Sequence, residues 1–316
     1  MQFAFVFPGQ GSQSLGMLSE LAAMAPAVTA TFAEASAALG YDLWALTQQG
    51  PAEQLDQTEN TQPALLAAGV ACWRAWQAAG GPAPVLLAGH SLGEYSALVC
   101  AGSLILSDAV KLVRRRGQLM QAAVPAGQGA MAAIIGLDDE AARALCAEVS
   151  AEGGGAGVLQ AVNFNAPGQV VIAGTRALVE QAVGLAPGKG ARMTKLLPVS
   201  VPSHCELMRG AAAELSQDLA KIPIAAPVIP VLHNVDCQAR QHADEIRDVL
   251  TRQLYSPVLW VQSVQAMAAQ GVQVVIECGP GRVLSGLLKR IDKSLKLGSL
   301  HDSAGLQQAL ALVKGQ

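Results

Sequence analysis

The sequence predicts an α/β fold in which a mostly parallel, helix-covered sheet is interrupted by a smaller α+β insert. Three observations predict it. Short, wholly apolar runs such as 84–88 and 272–276 alternate with longer helical stretches, the pattern of strands buried on both faces of a parallel sheet. Between about 127 and 199 the order changes to β-α-β-β-α-β, the split unit of a ferredoxin-like sheet. The composition, 51% hydrophobic against 14% charged over 316 residues, is that of a chain with a large buried core.

The same composition excludes intrinsic disorder. The 32 glycines and 16 prolines follow no triplet period, which excludes a collagen-like chain. A formal net charge of −3 offers no polycationic surface, so no nucleic-acid partner is expected. Mean hydropathy is high, +0.33, and comes mainly from alanine. No run reaches the roughly 18–20 apolar residues of a membrane span, so no membrane partner is expected. The amino-terminal segment lacks a basic leader and reads as a strand, not a signal peptide. Cys72, Cys100, Cys146, Cys205, Cys237 and Cys278 are scattered with no C-x-x-C pair, and the five histidines lack metal-ligand spacing. The expectation is a cytoplasmic, monomeric protein with reduced thiols, no metal and no bound cofactor.

Residues 3–7 form the first strand and end in the turn Pro8-Gly9-Gln10-Gly11. Helical stretches run to about 39 and over 61–79, ahead of the strand 84–88. Ser107 reads as the cap of a helix over 108–121. In the insert, 130–137 is a strand, 138–150 a helix and 153–157 a flexible glycine-rich joint. Strands 158–163 and 169–173 flank an Asn-Ala-Pro-Gly turn, and helix 175–185 precedes strand 191–199. The larger domain then resumes with a helix from about 204, a strand over 228–234 and helices over 244–253 and 260–270. Strand 272–276 and the turn Gly279-Pro280-Gly281 lead into a helix to about 291. The domains are therefore 1–126 with 200–316, and 127–199.

Gly89-His90-Ser91-Leu92-Gly93 is a G-x-S-x-G between a buried strand and a helix. In a nucleophile elbow the glycines permit the sharp turn, the serine hydroxyl stands above the sheet edge, and the next amide, that of Leu92, points where an oxyanion forms. The alternative is a turn that merely starts a helix. Such an elbow is the serine-bearing turn of hydrolase-like α/β sheets. His204 is the best-placed base: Ser203 and Glu206 form S-x-x-E, a capping box that puts His204 at the first helical position, where exposed amides keep the ring neutral. His90, beside Ser91 on a tight turn, reads as a support. The acidic residues considered as a third member, from Asp108 to Glu180, all read as caps or exposed helix positions, so a backbone carbonyl is open as an alternative to an acid for orienting the imidazole.

On the helix after Ser107, Ala109, Leu112, Val113, Leu119 and Met120 share one side, and Arg116 falls in the middle of that stripe. A buried guanidinium costs several kcal/mol unless paired. Its partner is either a protein carboxylate or a substrate carboxylate held in a bidentate clamp. Pro8-Gly9-Gln10-Gly11-Ser12-Gln13 lacks the third glycine of a dinucleotide fingerprint, and the chain has no Walker A lysine. The turn lies at the carboxyl end of a strand, where α/β sites collect. It is either a simple tight turn or the source of a second oxyanion N–H.

Taken together, the chain resembles the malonyl-CoA:acyl-carrier-protein transacylase family over nearly its whole length. The resemblance rests on Phe7-Pro8-Gly9-Gln10-Gly11-Ser12-Gln13, on Gly89-His90-Ser91-Leu92-Gly93-Glu94-Tyr95 and on Arg115-Arg116-Gly117. It continues through Asn163-Phe164-Asn165-Ala166-Pro167-Gly168-Gln169, Val201-Pro202-Ser203-His204, Asn234-Val235-Asp236, Gln253-Leu254-Tyr255-Ser256-Pro257-Val258 and Glu277-Cys278-Gly279-Pro280-Gly281. It implies Ser91 as nucleophile, His204 as base, the amides of Gln10 and Leu92 as oxyanion hole, and the main-chain carbonyl of Gln253 as the group that orients the histidine. It implies that Arg116 clamps the malonate carboxylate, with Asn163 and His90 beside the substrate. Malonyl-CoA and acyl carrier protein are the implied partners. CoA and the 4′-phosphopantetheine arm enter as substrates rather than cofactors. An acidic carrier protein would dock on basic residues around the cleft, Lys189, Arg192, Lys195, Lys289 and Arg290. The residues leave three alternatives open: an acyltransferase of a polyketide or other specialised pathway using another extender unit, a serine thioesterase, and a non-catalytic acyl-carrier docking module.

Overall fold

A computed structural model describes residues 2–153, 155, 157–199 and 201–315. Strand β1 (Phe3–Phe7) is followed by helices α1 (Ser19–Met24), α2 (Ala27–Leu39), α3 (Leu43–Gln49), α4 (Ala52–Leu55) and α5 (Thr58–Ala78). Strand β2 (Leu86–Gly89) leads into α6 (Gly93–Cys100) and α7 (Leu106–Ala122). The insert comprises β3 (Gly129–Ile135), α8 (Asp139–Glu152), β4 (Leu159–Ala166), β5 (Gln169–Thr175), α9 (Arg176–Leu185) and β6 (Met193–Leu196). The chain closes with α10 (Arg209–Leu219), β7 (Val231–Leu232), α11 (Ala243–Gln253), α12 (Trp260–Ala269), β8 (Val274–Glu277), α13 (Val283–Ile291), β9 (Lys296–Ser299) and α14 (Ser303–Lys314).

The large sheet has the order β7-β2-β1-β8-β9, and every pairing is parallel. Its central strand shows why the runs are apolar throughout. Phe3, Phe5 and Phe7 pack into the cluster with Trp76 of α5, while Ala4 and Val6 pack on the opposite face with Trp260 and Met267 of α12. Side chains alternate, and both faces are covered. The small sheet is antiparallel with order β4-β5-β3-β6 and its own core around Ile134, Phe164 and Ile172. That order is the ferredoxin-like one. Main-chain bonds tie strand β4 of the small sheet to the segment between α11 and α12, Phe164 N–H to Val258 O (3.0 Å) and Val258 N–H to Val162 O (2.8 Å).

Several expectations need correction. Helix α7 begins at Leu106 after Ile105, with no side-chain cap, so Ser107 lies inside it. The strand expected over 228–234 shrinks to Val231–Leu232: Pro230 has no N–H to give to a ladder and Val228 is exposed. Strand β9 and helix α14 follow the last expected helix, and α3 and α4 fill the gap before α5. The expected joint at 153–157 includes residues 154 and 156, which lie outside the described residues, as does Ser200. Among the described residues no helix is long and apolar enough to cross a membrane.

Candidate active site

The carboxyl ends of β1 and β2 carry the site. Phe7 pairs with Gly89, and the chain then turns through Ser91 into α6. Ser91 has φ 51°, left-handed for a residue with a β-carbon, a conformation that costs about 1–3 kcal/mol and persists only where the surroundings enforce it. Both glycines of G-x-S-x-G are required by close approach. A β-carbon on Gly89 would stand 1.9 Å from the Gly93 carbonyl carbon, and one on Gly93 would stand 2.0 Å from Phe7 O. Asn234 enforces the turn from across the sheet. Its Oδ1 accepts from Ser91 N–H (2.7 Å) and its Nδ2 donates to Gly89 O (2.6 Å).

Ser91 Oγ lies 2.8 Å from His204 Nε2. His204 Nδ1 lies 2.7 Å from Gln253 O. A carbonyl only accepts, so Nδ1 carries the proton and Nε2 presents its lone pair to the serine hydroxyl. The group within reach of Nδ1 is thus a main-chain carbonyl. Burial, reinforced by the Arg116 charge, pushes the His204 pKa down to about 3, so the ring is a neutral acceptor at neutral pH.

The local structure around His204 differs from the capping-box expectation. His204 sits in a left-handed turn, φ 66°, and α10 starts only at Arg209. Ser203 folds back on Val201 O, and the Glu206 carboxylate pairs with Arg209 instead of capping a helix. The turn is held from outside: His204 N–H donates to Leu254 O (2.9 Å) while the ring holds Gln253 O. Neutrality of the imidazole comes from burial and a neighbouring cation, not from helix amides.

Arg116 is 1% exposed on the apolar face of α7, where the helical periodicity put it. Its Nη1 donates to Gln62 Oε1 (2.9 Å), and its Nη2 donates to Gln253 Oε1 (3.0 Å) and points at Ser91 Oγ (3.4 Å). The guanidinium also sits 5.4 Å from the Tyr95 ring centre. Among the described residues it makes no ion pair with a carboxylate, and its Nε–H has no acceptor. Its neighbour Arg115 faces outward and pairs with Glu214 (3.0 Å) and Asp218 (3.4 Å). Of the two partners open to Arg116 from the sequence, a protein carboxylate is not in place.

Gln10, Leu92, Asn163 and His90 all line the cleft at Ser91, together with Gln62 and Met131. The His90 Nε2 is turned to Asn165 Oδ1 (2.8 Å), away from the serine, so His90 supports the wall and is not the base. Asn163 Oδ1 is buried without a partner. Of the expected docking cations, Lys189 is engaged by Glu148 (2.7 Å), and Arg290 binds Gln169 and Pro167 O, joining α13 to the small sheet.

Four groups received no role from the sequence: Gln62, Asn234, the side chain of Gln253 and Glu94. Glu94 is fully buried, three residues after Ser91, and its carboxylate accepts from His233 Nδ1 (2.7 Å), Asn234 N–H (2.9 Å) and Gln253 Nε2 (2.9 Å).

A serine activated by a neutral histidine, with a cation free of direct carboxylate contact beside it at the carboxyl end of a parallel sheet, is equipped for acyl transfer from a carboxylate-bearing donor. The acyl transferase domain family matches residues 4–309, and the chain belongs to that family. A malonyl CoA-acyl carrier protein transacylase of Salmonella typhimurium is 60% identical over 309 residues, 98% of this chain and 99% of its own length. The solved malonyl CoA-acyl carrier protein transacylase from Coxiella burnetii superposes with a TM-score of 0.96 at 51% identity, covering 98% of this chain and 97% of that one. A malonyl-transacylase solved in complex with a type II polyketide acyl carrier protein gives a TM-score of 0.96 at 54% identity, covering 99% and 100%.

Proposed function

We propose that this protein transfers the malonyl group of malonyl-CoA to the phosphopantetheine thiol of acyl carrier protein, by a ping-pong route through a malonyl ester on Ser91. The observation that carries this reading is Arg116: a buried cation without a carboxylate partner, 3.4 Å from a serine that is itself 2.8 Å from a neutral imidazole. A thioesterase of apolar substrates has no use for that charge.

The Ser91 proton passes to His204 Nε2 as Oγ attacks the thioester carbonyl. The amides of Gln10 and Leu92 receive the oxyanion, each contributing a factor of roughly 10²–10³. The carbon–sulfur bond breaks, and CoA leaves as the thiol with the proton held by His204. The carrier's pantetheine thiol then gives its proton to His204, attacks the ester carbonyl and releases Ser91, which regains the proton. Gln253 O keeps the imidazole in one tautomer throughout. Arg116 holds the malonate carboxylate, and Asn163 Oδ1 and His90 border the acyl chain. The thioester supplies the driving force, and no bound cofactor enters these steps. The carrier docks beside the insert, residues 127–199, where Arg192 and Lys195 lie, and the enzyme works in the cytoplasm.

Incubation with malonyl-CoA followed by intact-mass measurement tests the reading. The wild-type chain should gain one malonyl group and Ser91→Ala none; a wild-type chain that stays unmodified overturns it.

A further inference from the structure

Glu94 has no place in the steps above, yet it is a fully buried carboxylate within the site's framework. Such a group is expensive to bury unless its oxygens are filled, and here three donors fill them: His233 Nδ1 on Oε1, and Asn234 N–H with Gln253 Nε2 on Oε2. The third donor is the informative one. A carboxylate only accepts, so it dictates which end of the Gln253 carboxamide faces it. With Nε2 held by Glu94 Oε2 and by Ser91 O (3.0 Å), the amide oxygen is left facing Arg116 Nη2 at 3.0 Å. The flipped amide would set its oxygen against two acceptors and its NH₂ against a guanidinium. Gln62 Oε1 takes the other arm of the guanidinium. Two carboxamide oxygens therefore fix the fork, and one of them is fixed in turn by Glu94.

We propose that Glu94 is a positioning residue for donor selection: through the Gln253 side chain it orients the Arg116 guanidinium that receives the donor's carboxylate. This rests on the reading of Arg116 given above. Glu94 also braces Asn234, and thereby the Ser91 turn, so a purely structural role has to be told apart. A loosened turn slows every donor alike, whereas a misaimed guanidinium penalises only a donor with a distal carboxylate.

The test is the ratio of malonyl to acetyl loading, followed by intact mass with malonyl-CoA and acetyl-CoA as donors. Glu94→Leu keeps much of the bulk but removes the acceptor that holds Gln253 Nε2. The ratio should fall by about tenfold, the effect of losing one hydrogen bond to a charged group. Gln253→Ala, which retains the main-chain carbonyl, should lower the ratio similarly. Adding Glu94→Leu to Gln253→Ala should not lower it further. An unchanged ratio in Gln253→Ala overturns the inference even if Glu94→Leu fails to fold. Equal losses for both donors in Glu94→Leu also overturn it. Arg116→Ala separates the two levels: if it lowers the ratio while Gln253→Ala does not, only the role of Glu94 falls; if it leaves the ratio unchanged, the clamp itself falls.

Discussion

The two sheets meet at one cleft and bring different things to it. The parallel sheet and its helices supply every group that moves a proton or carries a charge there: Ser91 after β2, His204 beside Gln253, and Arg116 on α7. The antiparallel sheet supplies walls, Met131 from β3 and Asn163 from β4, with Leu197 and Val199 beyond β6. The reactive groups are cross-braced by hydrogen bonds involving side chains that span 25 to 162 residues of sequence, whereas the walls are held by main-chain pairing of strands. The groups that react are thus fixed by side-chain hydrogen bonds, and the shape of the acyl site by a backbone ladder.

Substitutions on the two sides should therefore differ in kind. The largest effect is expected for Ser91→Ala, which should lower carrier malonylation by roughly 10⁶ in a steady-state assay, as for other serine nucleophiles. His204→Ala should come close to it. Asn234→Ala removes the acceptor that holds the strained Ser91 amide, and its loading rate should fall by about ten- to a hundredfold with donor selectivity kept. On the wall side, Met131→Ala should leave loading active and raise the methylmalonyl-to-malonyl ratio by about tenfold, the scale of one methyl group in an apolar pocket. Abolished malonyl loading in Met131→Ala would break the division drawn here. The smallest effect concerns pH. Because His204 stays neutral down to about 3, kcat/KM should be nearly flat from pH 8 to about 5. A fall by half near pH 6.5, the ordinary histidine value, would mean that the imidazole is not buried as described.

Much of this was legible in the sequence, and what was not shares one cause. The strands β1, β2 and β8 were readable because burial on both faces makes each an unbroken apolar run. Arg116 was readable because 100° per residue put a charge among Leu112, Val113 and Met120, and all of these are buried. The order of the insert followed from alternation within some 70 residues. His204 was found but its backbone was not: S-x-x-E is a local helix signal, overridden by bonds to Gln253 and Leu254, 49 and 50 residues away. Glu94 received no role of its own because its partners, His233, Asn234 and Gln253, lie 139 to 159 residues further on. Periodicity reports which face of an element is buried; it carries no information about which distant polar group waits there.

The central claim is that the buried guanidinium recognises the donor's free carboxylate. Its most direct test is the loading of Arg116→Ala with malonyl-CoA and acetyl-CoA in parallel, read by intact mass over time. The malonyl-to-acetyl ratio should fall by about 10² or more, the scale of a buried charge pair that has lost one partner. A ratio equal to that of the wild type would contradict the account.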